Sequence, residues 1–354
     1  MMAEEAGGLP LHLSLLASSD SDPAVQLISE YQVGSALDYD AVHFFGQGCD
    51  VLTFDHEVVN LEALATLERD GCVIAPSPRA LRFATDKAFQ RELFAENQLP
   101  VPDFIVLHSL DHEAIGAFCA SRSVVVVKAA RGGYDGRGVT VVHGDPTQLI
   151  GELLAHTPVV LEEFLDLERE VAISVVTARD GSSLVYPPVE TVQRNGMCEM
   201  VHVPGSLTQD QVAAATTLAT DVAALVGAVG VLAIEMFVTS QGVVINEVAT
   251  RPHNSGHWSI EGAITSQFSN HLRAVGGLAL GDTSVRAPFI TMINVVGGDS
   301  EPAWDALGQF DGAFVHHYRK ANRPGRKLGH VTIVSNDETL HSHRVQGVRD
   351  ILGI

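Results

Sequence analysis

Apolar and polar positions alternate in short blocks along the first hundred residues. LHLSLLA (11–17), CDVLTF (49–54) and CVIAP (72–76) are apolar runs that predict buried strands. PAVQLISE (23–30) and LEALATLERD (61–70) carry the spacing of amphipathic helices. Short strands interleaved with helices predict a parallel α/β sheet. Such a unit ordinarily opens with a strand and a glycine-rich turn. Here MMAEEAGG predicts a helix at once, so the pattern lacks its first strand. SPRALRFATDKAFQRELFAENQ (77–98) predicts one helix, stopped at LPVPDF. Pro100 and Pro102 push the residues before them out of the helical region and mark a domain boundary.

Residues 103–200 predict mostly strands. QDQVAAATTLATDVAALVGAVG (209–230) predicts an alanine-rich helix ending in glycine, followed by strands VLAIEMFV (231–238) and VVINEV (243–248). A further helix, about 259–275, is closed by Gly276 and Gly277 as a C-cap pair. The tail, 286–354, mixes short strands with a basic loop. No internal repeat or low-complexity tract is visible.

The chain of 354 residues is long enough for two or three domains, and at 46% hydrophobic and 18% charged it reads as globular. A net charge of −21 argues against nucleic-acid binding and requires any anionic ligand to be met by a local basic cluster. Cys49, Cys72, Cys119 and Cys198 are widely spaced with no C-x-x-C pair, which argues for reduced thiols in a cytoplasm over a disulfide framework. The acidic N-terminus is no secretory signal, and no apolar run of about 18 residues is present to span a membrane.

In LAIEMFVTSQGVVINEV, two glutamates sit inside apolar strands. A three-residue loop at Ser240-Gln241-Gly242 places Glu235 directly opposite Glu247. Opposed like charges destabilise a sheet, and a half-buried carboxylate needs a partner. A divalent cation between them answers both demands, and hard oxygen ligands select Mg²⁺ or Mn²⁺. Asn246 points to the other face or reaches the site by a local twist. The competing reading is a solvent-facing pair on an edge hairpin.

VVVVKAARGGYDGRGVTVV (124–142) joins two apolar strands through a glycine-rich loop with Lys128 at its base. It is neither a Walker loop nor G-x-G-x-x-G. On local pattern it is a plain hairpin with an Asp-Gly turn; as a lid, its bare backbone amides would approach phosphate oxygens. VVLEEFLDLEREV (159–171) adds Glu162, Glu163 and Glu170, most of them a solvated face, with one or two placed to hold a ribose or an amine. RKANRPGRK (319–327) holds Arg319, Lys320, Arg323, Arg326 and Lys327, five of the chain's 22 Lys and Arg, and is either an anion site or an exposed basic turn. RPHNSGH (251–257) puts Arg251, His253, Asn254, Ser255 and His257 before a helix start, which favours anions. Its spacing is not that of a helical H-E-x-x-H zinc motif. His316, His317, His341 and His343 read as surface or packing histidines.

GGYDGRG, IEMFV…INEVATRPHNSGHWSIEGAITSQFSNHLRAV and KANRPGRKLGH together resemble the 5-(carboxyamino)imidazole ribonucleotide synthetases of purine biosynthesis, which are ATP-grasp enzymes. CDVLTFDHE, SPRAL and TDK resemble the N-terminal domain of the same family. The resemblance runs nearly end to end. It implies an α/β ATP-grasp fold with a Rossmann-like pre-ATP-grasp domain (1–82, without its first strand), an ATP-grasp domain (83–285, with a lid at about 103–180) and a small C-terminal domain (286–354). It implies a cytoplasmic homodimer without nucleic-acid or membrane partners. The implied reaction uses ATP, Mg²⁺ or Mn²⁺, and bicarbonate to carboxylate the exocyclic amine of 5-aminoimidazole ribonucleotide through carboxyphosphate.

The resemblance also implies residue roles. Lys87 and Lys128 neutralise ATP phosphates. Gly133, Tyr134, Asp135, Gly136, Arg137, Gly138 and Val139 form the lid. Glu162, Glu163, Phe164 and Leu165 line the adenine pocket, and Glu170 holds the ribose. Glu235, Asn246 and Glu247 carry the metal, the last two also facing ATP. Arg251 and His253 stabilise carboxyphosphate and handle its proton. Glu57, Tyr134 and Asp135 position the amine, with Asp135 in the catalytic set. Asn254 and Ser255 join the substrate set. Lys320, also catalytic, with Arg323, Arg326 and Lys327, holds the ribonucleotide phosphate and the carboxyl group. Two departures stand out. Gln193, in YPPVETVQ, occupies a position near ATP that is often histidine in the family. The family's opening strand and G-G-G-Q-L-like loop, which help bind the ribonucleotide phosphate, are not found before MMAEEAG; either a start lies upstream, or part of the sheet and substrate site is absent. Rival readings are another ATP-grasp ligase, such as formate-dependent glycinamide ribonucleotide transformylase or biotin carboxylase, and a non-catalytic nucleotide-binding remnant.

Overall fold

In the computed structural model, residues 1–132, 138–194 and 196–354 are described. Among them, nine strands form one antiparallel sheet. Its order is Gly242–Ala249, Gly230–Thr239, Arg169–Thr177, Val189–Arg194, Met197–Val203, Phe289–Val296, Lys327–Ser335 and Ala313–His317, with Ser183–Val185 beside Arg169–Thr177. The acidic hairpin and the C-terminal strands therefore belong to one continuous surface. Arg169–Thr177 is covered on both faces. Val171, Ile173 and Val175 pack with Leu218, Val222 and Val226 of helix Gln209–Val226, while Ala172 and Val176 face the side of Trp258 and Ala274. This period of two is what a central strand demands. The helix is fixed at both ends. Thr208 and Gln211 form a reciprocal capping box, and Gly227 closes it in the left-handed conformation.

A second antiparallel sheet runs Phe104–Leu107, Val159–Glu163, Val124–Ala129, Val139–His143. The four-valine run is thus a strand, with Val125 and Val127 in its core. Helices His112–Cys119 and Thr147–Leu154 pack on it through Ile115, Phe118 and Ile150. They lie inside a stretch that sequence predicts as mostly strands, because each helix is only eight residues long and too short to show a clear helical period.

Several predicted elements break where a polar side chain captures the backbone. The helix expected over 77–98 is two, Pro78–Thr85 and Lys87–Glu96. Asp86 leaves the helical region and caps the second by accepting from Phe89 N. The helix expected at about 259–275 is also two, Ser259–Gly262 and Gln267–Val275, the second capped by Ser266. Gly276 caps it in the right-handed region, and Gly277 supplies the positive φ. PAVQLISE is not a helix. Pro23–Gln26 makes one 3₁₀ turn, and the chain is extended from Glu30, where it pairs with Ser14. LHLSLLA and CDVLTF shorten to Ser14–Ala17 and Val51–Leu52.

The N-terminal strands form two separate parallel pairs, Ser14–Ala17 with Glu30–Val33 and Val51–Leu52 with Val73–Ile74. Both pairs border one cavity of about 1430 Å³, whose apolar wall includes Leu13, Leu15, Leu52, Phe54, Leu272 and Val275. Single side-chain bonds tie this region to the large sheet and its helices. Val231 N donates to His271 Nδ1 (3.1 Å), which leaves His271 Nε2 to donate to Thr53 Oγ1 (2.8 Å). Ser266 Oγ donates to Glu5, and Arg319 to Gln26.

Candidate active site

The two glutamates meet as expected, by a different route. Thr239 pairs with Gly242, so the loop is the two residues Ser240-Gln241, and a bulge at Asn246 brings Glu235 opposite Glu247. A bulge places two residues against one and re-aims the chain. Asn246 uses this to make two contacts in the cleft. Its carbonyl accepts from Arg91 Nη2 at 2.7 Å, and its side-chain oxygen lies 3.3 Å from Lys128 Nζ. The local twist that would let Asn246 reach the site is this bulge.

Around the hairpin, charge is distributed unevenly. Lys128 and Arg91 are buried and both bind Glu162, at 2.7 Å each. Burial works to raise the Glu162 pKa, but the two cations more than offset it and hold the carboxyl at about 2. Burial pulls the Lys128 pKa down, against the pull of Glu162. Lys87 Nζ reaches Glu247 at 2.5 Å. Glu235 makes no such close contact with a cation among the described residues; His253 Nε2 lies 3.9 Å away, and Lys327 and Lys87 attract it only from farther off. Burial first, then the nearby Glu247 and Glu170, push its pKa up to about 7. Burial also raises the pKa of Glu170.

RPHNSGH is held by a residue from TSQF. Gln267 accepts from His253 N (3.0 Å) and donates to His253 O (2.7 Å), clamping that backbone unit. The clamp requires Gly256, where a β-carbon would collide with the Gln267 amide. His253 Nδ1 faces the Ser255 hydroxyl (2.9 Å) and backbone N–H (3.3 Å). Two donors at Nδ1 leave the ring proton on Nε2, on the Glu235 side. Burial, then Arg251 and Lys327, lower the His253 pKa to about 3, so the ring is neutral. Arg251 Nε donates to Glu57 Oε2 at 2.6 Å, joining the large sheet to the N-terminal region.

These groups open into the large cavity. Its wall includes Arg251, His253, Asn254, His257, Lys320 and Lys327. Lys320 lies over the Tyr318 ring at 5.4 Å. The basic loop is divided. Among the described residues, Arg319, Lys320 and Lys327 line the cavity. Arg323 is exposed and Arg326 turns to the Ala321 carbonyl (3.3 Å), both outside the wall. Ser255 is buried behind His253 and lines a separate small pocket.

Near the hairpin, Glu163 accepts from Asp103 N at 2.8 Å, Phe164 is exposed and Leu165 is half-buried. Glu170 pairs with Phe237 across the sheet, and Gln193 pairs with Cys198 at a bulge. Lys128 pairs with Val139, and the Gly138 carbonyl accepts from Ala129 N. Gly133, Tyr134, Asp135, Gly136 and Arg137 lie outside the described residues.

Three groups of residues escape a reading of the sequence. Arg91 looks like a solvent-facing helical charge, yet it is 1% exposed. Gln267 and the Asn254–Asn294 amide pair (2.9 and 2.6 Å) are long-range partners. The Tyr318–His330 contact at 2.6 Å joins residues 12 apart across a loop. None of them carries a local signal, because each partner lies far along the chain.

Family models match nearly the whole chain: the ribonucleotide synthetase preATP-grasp domain over residues 1–85, the ATP-grasp domain over 92–268, and the phosphoribosylaminoimidazole carboxylase C-terminal domain over 291–344. N5-carboxyaminoimidazole ribonucleotide synthase of Mycobacterium tuberculosis is 42% identical over 95% of this chain and 81% of its own length. The chain belongs to the N5-carboxyaminoimidazole ribonucleotide synthase family. Among solved members, the Thermus thermophilus synthetase superposes with TM-score 0.90 at 31% identity, over 99% of this chain and 95% of that one. The Aspergillus clavatus synthase, solved with ADP and 5-aminoimidazole ribonucleotide, gives 0.90 at 29%, over 100% and 95%. The fold is therefore α/β, with pre-ATP-grasp, ATP-grasp and C-terminal parts. In this synthase family the acidic hairpin and the four-stranded sheet with Lys128 belong to the ATP-grasp match, while Arg319, Lys320 and Lys327 come from the C-terminal match.

Proposed function

We propose that this chain carboxylates the exocyclic amine of 5-aminoimidazole ribonucleotide, consuming ATP and bicarbonate and releasing ADP and phosphate. The observation that carries the reading is the juxtaposition at His253. Its Nε2 lies 3.9 Å from Glu235 in the acidic hairpin, while the same ring lines the cavity with Arg251, Lys320 and Lys327. A phosphoryl-transfer cleft and a cation-lined pocket thus share one wall.

The residues present fit a Mg²⁺ or Mn²⁺ ion. Glu235 is a partly buried carboxylate whose ionisation is resisted by Glu247 and Glu170, and Glu247 and the Asn246 side chain add hard oxygens. Groups of three or more His, Cys, Asp or Glu side chains placed to hold a metal are absent among the described residues. Two opposed carboxylates suit Mg²⁺, which is held by one or two carboxylates together with substrate phosphates. Bound there, the ion would offset charge on the transferring phosphoryl group.

The protein's own groups divide the remaining work. Lys87 and Lys128 sit beside Glu247 and Asn246 and offset nucleotide phosphate charge. Bicarbonate attacks the γ-phosphorus, the bond to ADP breaks, and carboxyphosphate forms. Arg251, oriented by Glu57, stabilises it. His253, neutral with its proton on Nε2, donates a hydrogen bond to it. The ribonucleotide amine then bonds to the carboxyl carbon, directly or after release of carbon dioxide, and phosphate leaves. Lys320 and Lys327 hold the anionic ends of the second substrate. The adenine and ribose positions (Glu163, Phe164, Leu165, Glu170, Gln193) and the lid residues 133–139 are part of the same reading, as is a cytoplasmic homodimer. The four free thiols fit a reducing compartment, and no helix among the described residues is long and apolar enough to cross a membrane.

Phosphate release with ATP, Mg²⁺, bicarbonate and 5-aminoimidazole ribonucleotide tests this. The expected result is ADP formation that needs all four. Release dependent on glycinamide ribonucleotide and formate instead overturns it.

A further inference from the structure

His257 is left over by this assignment. It lines the cavity, yet its ring is seated in a polar chain that none of the roles above uses. Tyr318 Oη stands 3.0 Å from His257 Nδ1 and 2.6 Å from His330 Nδ1. A tyrosine hydroxyl has one proton, so it donates to one of these nitrogens and accepts from the other.

The direction is set at the far end. His330 is fully buried, and its Nε2 has no partner among the described residues. Were Tyr318 to donate to His330 Nδ1, the His330 proton would sit on that Nε2 as an orphaned buried N–H, a costly arrangement. His330 therefore carries its proton on Nδ1 and donates to Tyr318, and Tyr318 donates to His257 Nδ1. The near end agrees. Asn294 Nδ2 donates to the Cys198 carbonyl (2.8 Å), which fixes the paired amides and turns Asn254 Nδ2 toward His257 Nδ1 at 3.4 Å. Both neighbours thus present donors to Nδ1. The remaining nitrogen, Nε2, carries the proton. It makes no hydrogen bond among the described residues and keeps exposed surface on the cavity side.

We propose that His257 is a tautomer-locked, neutral N–H donor that binds an anionic oxygen of the second substrate or of the one-carbon unit, and that Tyr318, His330 and Asn254 are its positioning residues. The inference rests on the proposed reaction for its substrates, but not for its tautomer. Groups facing the ring are Tyr318, His330, His316, His253, Arg251 and Lys327; burial and the cationic members of this set keep it unprotonated. A neutral donor suits this place. It recognises a phosphate or carboxylate oxygen without adding a charge that would hold the product.

Two experiments on the full chain test this. Nitrogen-15 spectra of the imidazoles should show His257 with a protonated Nε2 and a bare Nδ1 from pH 5 to 9, with Tyr318→Phe mixing the tautomers. A protonated Nδ1, or titration near pH 6.5, overturns the proposal whatever the activity. Steady-state kinetics then compares His257→Asn, which cannot reach the Nε2 position, with His257→Gln, which can. Asn should lose about 10- to 100-fold in kcat/KM, with KM for ATP unchanged, and Gln should recover most of it. A loss confined to the ribonucleotide KM assigns the oxygen to that substrate; a loss in bicarbonate-dependent turnover assigns it to the one-carbon unit. Equal loss in both variants, or none in either, overturns the donor role. If the wild-type chain turns over neither substrate pair, the proposed reaction fails while the spectra still decide the tautomer.

Discussion

Glu162 and Glu235 lie in the same cleft, the first buried and the second partly buried, but the sequence around them has done opposite things. Glu162 is clasped by Arg91 and Lys128 and stays ionised far into acid. Glu235 faces Glu247 and Glu170, which outweigh the more distant Lys327 and Lys87, and it holds its proton to about pH 7. A carboxylate with its cations built in is part of the scaffold. One with no cation in direct contact is a place where a cation can be recruited. Burial runs against the difference, since the more buried carboxyl is the more acidic; the neighbouring charges decide it.

The comparison breaks most directly at Glu247. Glu247→Gln should reduce metal-dependent ATP turnover by about 10²- to 10³-fold while circular dichroism stays unchanged, since its side chain is 40% exposed. Undiminished turnover would remove the metal assignment. Next in size is Glu162→Gln, which leaves two buried cations unpaired and should lower unfolding free energy by about 3–5 kcal/mol in urea titrations.

Glu235→Gln should have the opposite sign. The folded pKa lies above the unfolded value, so the carboxyl's stabilising contribution is full below about pH 4.5 and is lost as pH rises through about 7. Without metal at pH 8, the variant should therefore be more stable than the parent by about 1–3 kcal/mol. Destabilisation of the same size as in Glu162→Gln would erase the contrast. The same titration predicts that apparent Mn²⁺ affinity, read by isothermal calorimetry with nucleotide present, improves as pH rises through about 7 and flattens above. The smallest effect expected is for Arg91→Lys. It keeps the charge but loses the forked contact to Asn246 O, at a cost of about 1–2 kcal/mol, with a few-fold rise in KM for ATP.

What the sequence made legible follows from range. The Glu235–Glu247 pairing is local, and strand periodicity with a short turn was enough to oppose the two residues, even though the loop is one residue shorter and a bulge makes up the difference. Arg91 was not legible, because a charge on a helix reads as solvent-facing until a partner 71 residues away is known. The division of RKANRPGRK was equally hidden. Composition marks five cations, while only the fold decides that Arg323 and Arg326 turn aside. PAVQLISE misled for a simpler reason: one turn's worth of helical spacing competes poorly with a strand partner.

The divided N-terminal sheet has a further consequence. A strand paired on one side only shelters half of its amides, so hydrogen exchange should be fast at Val51–Leu52 and Ser14–Ala17 and slow at Arg169–Thr177. The N-terminal region would then open as a unit, held by His271, Ser266, Arg319 and the Glu57–Arg251 pair and by the packing of helix Met2–Ala6 on Gln267–Val275. If it opens first, the Glu57–Arg251 pair parts with it, and the pocket for the second substrate is lost while the nucleotide cleft still stands. Under mild denaturant the protein should pass through a state that binds nucleotide and no longer holds the molecule to be carboxylated.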